Sequence, residues 1–329
     1  MGLRGRFSRM KLGWWLWLII GVVVGSLLSS AILLTAFRSP AGGAGYVALV
    51  PLSGTISYSE SPLAIFSGEA LTPDKARELF EKVESDPYAK AVVLVINSPG
   101  GSAAASEEIY QMVKKLAGER VVVAYIAEYG ASGGYYIALP ADRIIASPHA
   151  LTGSVGAVSL VINFAELMDK LGIKVETFKS GRLKDVGSAW RPMTPEERKL
   201  MQDMVDSIAE IFERRVRESR GDKIKDWEGV LTARPFLGAE AVEIGLVDET
   251  GSLEDAVKEA RELAGLPEYA PTRWIKPRKP SLLDLLFGGG ESGSMKLSYE
   301  VLMMWPLPTI ISPEDIIRAR PGIYCAQTP

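Results

Sequence analysis

Two residue types that carry much of enzyme chemistry are almost missing from this chain of 329 residues. There is one cysteine, Cys325, so no intrachain disulfide can form and a zinc cluster built on cysteines is excluded. There is one histidine, His149, which rules out a histidine-rich metal centre and leaves a Ser-His pair a single candidate. No metal and no other cofactor is expected. An excess of positive charge is missing too: the net charge of −3 carries no footprint of a nucleic-acid partner. Hydrophobic residues, by contrast, make up 47% of the chain, enough for a packed core in one large domain or two modest ones.

The apolar residues are not spread evenly. Residues 14–37 form a run of 24 without a charge, long enough to cross a bilayer as a helix. Arg4, Arg6, Arg9 and Lys11 precede it with no acidic residue among them. Such a flank is retained in the cytoplasm. The run exceeds the apolar region of a cleaved signal peptide, so it reads as a single-pass anchor held in lipid. Residues 1–13 then form a basic cytoplasmic N-terminus, residues 38–45 a linker, and the body lies outside the cytoplasm. Residues 271–329 are broken by Pro and Gly and read as a tail that docks on the domain or on a neighbouring subunit.

Between linker and tail, residues 46–270, strands and helices alternate. The runs 90–97 and 121–127 are continuous and β-branched, as in strands buried on both faces. Residues 46–57, 142–147, 157–162, 174–179 and 246–249 read as further strands. Thr72-Pro73-Asp74 opens one helix with a cap and a proline at its first position. Thr194 and Glu197 form a capping box at the head of a long helix that runs to about Gly221. The pattern predicts an α/β fold with a mainly parallel sheet.

Ligand sites in such sheets lie at the carboxyl ends of strands. Two glycine-rich turns stand there, SPGGS (98–102) and GASGG (130–134), each leading into a helix. Neither carries a P-loop lysine or the dinucleotide pattern, so an anion hole fits better than a nucleotide cradle. Ser132 is then the nucleophile candidate, and its base is His149 or a lysine. His149 in SPHAL reads as an exposed loop residue. Lys184, in FKSGRLKDVGSAW (178–190), reads on its own as a solvated loop lysine beside Asp185. Tyr135 and Tyr136 read as packing residues.

Five motifs occur in a fixed order: INSPGGS (96–102), YGASGGYYIA (129–138), TGSVGAV (152–158), KSGRLKD (179–185) and GLVDETGS (245–252). Together they resemble the signal peptide peptidase A family of Ser-Lys membrane proteases, in its half-length, single-anchor form. The SPGG turn alone is shared with ClpP and crotonase-type enzymes; the ordered set is far more specific. The resemblance implies a ClpP/crotonase-type fold and a ring-shaped homo-oligomer. It implies Ser132 as nucleophile, Lys184 as general base and Ser154 as the serine that orients the lysine. The N–H groups of Gly101 and Gly133 become the oxyanion hole. The implied reaction is hydrolysis of apolar peptides, such as remnant signal peptides, or of apolar segments of membrane proteins. A crotonase-type acyl-CoA enzyme and a silent membrane scaffold are the competing classes; the anchor and the intact serine and lysine count against them. A lysine acts as a base only when its pKa falls from about 10.4 toward neutrality. A carboxylate at the amine opposes that fall, so Asp185 is expected to point away from Lys184.

Overall fold

The computed structural model describes residues 17, 19–26, 29, 45–59 and 70–276, and the backbone of 302–304. The chain divides into two compact units, Met1–Ala44 and Gly45–Pro329. In the first unit the described residues are helical, and Trp17, Ile19 and Val22 are exposed. Among the described residues no helix is long and apolar enough to cross a membrane. Much of the run read as an anchor, 14–37, lies outside them.

The second unit is built on β1 (Tyr46–Ser53), β2 (Ala89–Ser98) and β4 (Val121–Ala131), which pair in parallel. Their apolar runs explain this position. Val47, Ala48, Val50, Val92, Val93, Leu94, Val122 and Val123 have no exposed surface, so side chains on both faces are covered. β5 (Arg143–Ala146) and β6 (Leu151–Gly153) pair in turn along the same edge of β4, and β7 (Pro235–Leu237) adds antiparallel to β6. β8 (Glu249–Thr250) pairs with β5, and β9 (Thr272–Trp274) closes the far edge beside β1. The expected α/β architecture with a mainly parallel sheet is present. Two short strands stand apart: β3 (Gly100–Ser102) pairs antiparallel with β10 (Leu302–Met304).

Helices cover both faces. α1 (Pro73–Glu84) starts where Thr72 accepts a hydrogen bond from the Lys75 N–H, with Pro73 at the first position. α1 and α2 (Ala103–Ala117) pack on one face with α3 (Gly133–Tyr136). On the other face Ala256, Val257 and Ala260 of α8 (Leu253–Leu263) meet Val47, Val93 and Val123. α4 (Ala165–Lys170), α6 (Trp227–Leu231) and α7 (Gly238–Ile244) are short connectors. The long α5 (Pro195–Arg220) carries the expected Thr194/Glu197 capping box. It reaches α3 through Phe212, whose ring centroid lies 4.9 Å from that of Tyr136.

Two expected strands are not strands. Residues 157–162 and 174–179 are irregular, apart from a single bridge residue, Val158; the first segment is mostly half-buried and the second exposed. β-branched residues make a strand only where a neighbour accepts the backbone ladder. Among the described residues no named strand pairs with either segment, and Leu160, Ile162, Phe164, Leu167 and Leu171 face solvent, with Phe178 at 93% exposure.

One buried ion pair ties α5 to the sheet. Arg220, 4% exposed, donates to Asp248 Oδ2 at 2.8 Å and to the Gly245 carbonyl. Asp248 also accepts from the Ile144 N–H at 2.8 Å and from Lys223 at 2.7 Å. Burial pushes the Asp248 carboxyl up, but the hydrogen bonds from Arg220, Lys223 and Ile144 outweigh it and hold it below the usual carboxylate range. A depressed value means that this stability is present above the unfolded pKa of about 3.9 and is lost as pH falls through the folded one. Asp248→Asn leaves Arg220 buried without its counter-charge and is expected to cost about 3 kcal/mol in urea unfolding at pH 7. A loss below about 0.5 kcal/mol, the size of a surface substitution, contradicts this.

Candidate active site

Ser132 follows directly on β4 and caps α3, with φ 54° and ψ −123°. Positive φ is uncommon for a residue with a Cβ and is held only where the surroundings impose it. The surroundings here are a hydrogen bond from the Ser132 N–H to the Gly153 carbonyl at 2.7 Å and the packing of α3. Tyr135 is fully buried and donates to the Leu246 carbonyl at 2.6 Å. Tyr136 donates to Glu107 and packs its ring on Tyr110 and Phe212. Both tyrosines therefore pack the helix, as expected, and burial pushes both hydroxyls well above their ordinary pKa.

The glycines around Ser132 have a measurable cause. A Cβ on Gly134 would stand 2.3 Å from the Ser98 carbonyl oxygen. One on Gly133 would stand 2.4 Å from Ser106 Oγ, 3.2 Å from Gly100 Cα and 3.3 Å from the Gly101 nitrogen. The two glycine-rich turns are thus pressed backbone to backbone. The N–H of Gly133 opens α3, where no carbonyl of the helix itself is available to it. Gly101 is fixed by Ile56: Ile56 N–H donates to Gly100 O at 2.9 Å, and Ser102 N–H donates to Ile56 O at 2.8 Å. A Cβ on Gly101 would lie 2.0 Å from Ile56 O.

Ser154 sits one strand over. The register sets Ala131 beside Gly153, so Ser132 and Ser154 leave neighbouring strands at one level. Ser154 is also at positive φ, 52°, and is 6% exposed. Its Oγ donates to the Ala233 carbonyl at 3.2 Å. Ser132, Gly133, Gly101 and Ser154 are thus brought together on adjoining segments.

Lys184 is not joined to them in the single chain. It lies exposed in a turn, and among the described residues its side chain makes no hydrogen bond or ion pair. Ser132 Oγ likewise has no hydrogen-bond partner among them. The turn itself is anchored. Asp185 accepts from Lys179 at 2.5 Å and from Arg191 Nε at 2.8 Å, and Arg191 also donates to Glu197 at 2.5 Å. The carboxylate next to Lys184 is therefore taken by other cations, as expected. Arg191 and then Lys179 hold Asp185 well below the carboxylate range, and Arg191 with the Thr194 N–H lowers Glu197 to about 2. His149 is exposed on the turn between β5 and β6, and among the described residues it has no hydrogen bond to Ser132. Among the described residues no group of acidic, histidine or cysteine side chains could hold a metal ion.

Two partners of the site were not foreseen. Ile56 brackets Gly101, and nothing in the local sequence announces that pairing. Ser106 backs Gly133 and donates to the Ser102 carbonyl at 2.8 Å. Its place four residues after Ser102, one turn along α2, is a signal that spacing carries.

The model of peptidase family S49 matches residues 114–267. A putative protease of Methanocaldococcus jannaschii is 35% identical over 259 residues, covering 76% of this chain and 82% of that one. The chain belongs to peptidase family S49. Within this family it is similar to the chloroplastic serine protease SPPA of Arabidopsis thaliana, 32% identical over 254 residues, 76% of this chain and 37% of that protein. Among solved structures, a mutant of the 1510-N membrane-bound stomatin-specific protease aligns with a TM-score of 0.42 at 16% identity, covering 72% of this chain and 100% of that one. The S49 chain described here is a serine protease of the SppA group; Ser132, Gly133, Ser154 and Lys184 fall inside the matched residues, and Gly101 lies before them.

Proposed function

We propose that this S49 member is a membrane-anchored endopeptidase that cuts apolar peptides, signal-peptide remnants among them, with a Ser132–Lys184 dyad. The observation that carries the reading is the serine at positive φ beside two closely packed glycine turns. Ser132 Oγ attacks the scissile carbonyl, and the N–H groups of Gly101 and Gly133 receive the oxyanion. Lys184 takes the serine proton and returns it to the leaving amine. Ser154 holds the lysine amine in line. Residues 14–37 fix the chain in the cell membrane, with the N-terminus cytoplasmic and the protease domain outside.

A ring of identical copies completes the site. The exposed apolar side chains from Leu160 to Phe178 are more than a monomer leaves uncovered without a reason. A neighbouring copy covers this arm in the proposed ring, and the same packing brings a Lys184 amine, from one copy or the other, to Ser132. Specific activity is therefore expected to fall on dilution in detergent, in step with loss of the oligomer by light scattering. Activity per chain that stays constant while the oligomer dissociates sinks the ring reading and leaves the family assignment untouched.

A further inference from the structure

Three residues other than glycine take positive φ among the described residues: Ser132 at 54°, Ser154 at 52° and Ala233 at 60°. Such backbone persists only where its surroundings impose it, and it collects at functional sites. The three are linked by hydrogen bonds. Ser132 N–H donates to the Gly153 carbonyl at 2.7 Å, one residue before Ser154. Ser154 N–H donates to the Arg234 carbonyl at 3.2 Å, and Ser154 Oγ donates to the Ala233 carbonyl at 3.2 Å. Ala233 has no functional group in its side chain and lies 79 residues from Ser154 in sequence. Its turn is nevertheless tied down. Ala233 N–H donates to Val230 O at 3.1 Å, and Thr232 Oγ1 donates to Gly229 O at 2.7 Å. Arg234 pairs with Glu240 at 2.5 Å and lies over the Phe236 ring. On its other side a Cβ added to Gly156 would stand 2.6 Å from Ala233 Cβ, so the backbone just past Ser154 is pressed against this methyl group.

We propose that Ala233 is a positioning residue for the Ser132–Lys184 dyad: its carbonyl, fixed by the strained turn, takes the proton of Ser154 Oγ and so leaves the lone pairs of that oxygen to the lysine amine. This rests on the protease reading above. A hydroxyl has one proton to give and two lone pairs to accept with. With its proton held by Ala233 O, Ser154 meets the amine only as an acceptor. A neutral amine that donates one N–H to Ser154 has its own lone pair free for the Ser132 proton. If the turn moved, the Ser154 proton could instead be given to that lone pair, and the base would be blocked. The effect is on alignment in the reacting complex, so it falls on kcat and spares KM.

The test uses the full chain in detergent with Ala233→Val, Ala233→Gly and Thr232→Val, each followed on an apolar peptide with the folded fraction read by circular dichroism. A β-branched residue does not sit at positive φ, and Gly156 leaves it no room, so Ala233→Val must shift the carbonyl. It is expected to lower kcat per folded chain about tenfold or more, with KM within about twofold of the parent. Glycine takes the same backbone without strain, so Ala233→Gly should keep kcat within about twofold. Thr232→Val, at an exposed position, removes only the hydroxyl that ties the turn and should lower kcat about threefold. That variant decides the matter if Ala233→Val does not fold. Parental kcat in folded Ala233→Val, or in Thr232→Val where Ala233→Val is unfolded, overturns the proposal and leaves the protease reading standing. So does a loss in Ala233→Gly as large as that in Ala233→Val, because the carbonyl is then not what matters. A parent chain that cleaves no peptide removes the protease reading and this proposal with it.

Discussion

The full chain with Ser132→Ala is expected to lose peptide hydrolysis by a factor of at least about 10⁴ in kcat. In the proposed mechanism the Oγ forms the bond, and neither other candidate takes its place: His149 is exposed on the turn between β5 and β6, and Ser154 Oγ is engaged by the Ala233 carbonyl. Lys184→Ala is expected to lose as much, because a nucleophile and its base act as one unit and their losses do not add. The double variant should therefore be no slower than either single one. Hydrolysis of an apolar peptide, followed with intact circular dichroism, checks all three. A Lys184→Ala chain that keeps its rate moves the base elsewhere. A folded Ser132→Ala chain that keeps it removes the nucleophile.

The second large effect falls on a residue with no side chain. Gly101→Ala would place a Cβ 2.0 Å from Ile56 O, and that oxygen belongs to backbone already bonded to Ser102 N–H at 2.8 Å. The Gly101 peptide has to turn, and its N–H leaves the hole. Loss of one oxyanion donor costs about 2.7–4 kcal/mol in the barrier, on the order of 10² to 10³ in kcat. KM should change far less, since the donor acts on charge that develops in the transition state. Equal kcat for Gly101→Ala and the parent would show that this N–H does not receive the oxyanion.

Much of the scaffold was legible because local chemistry and global position agree. The runs 90–97 and 121–127 are apolar on both faces and become the two central strands. Thr72-Pro73 and the Thr194/Glu197 box start helices where capping says they should. The glycines of SPGGS and GASGG pointed to close backbone approach, and the 3.3 Å from a Gly133 Cβ to the Gly101 nitrogen is that approach. What was not legible depends on contacts far apart in sequence. Residues 157–162 and 174–179 have strand composition but, among the described residues, pair with no named strand. The adjacency of Ser132 and Ser154 is set by register between β4 and β6, which no motif encodes. The position of Lys184 relative to Ser132 is the clearest gap. Its turn is fixed to α5 by Asp185, Arg191 and Glu197, a network that spacing alone does not reveal.

The central claim is that Ser132 is a nucleophile activated by Lys184. Labelling the full chain in detergent with a fluorophosphonate, read by intact mass and peptide mapping, tests it most directly. The account predicts one adduct per chain, on Ser132, and none in Lys184→Ala under the same conditions. Labelling of Ser132 that proceeds at the parent's rate in Lys184→Ala, or an adduct on another serine alone, would contradict it.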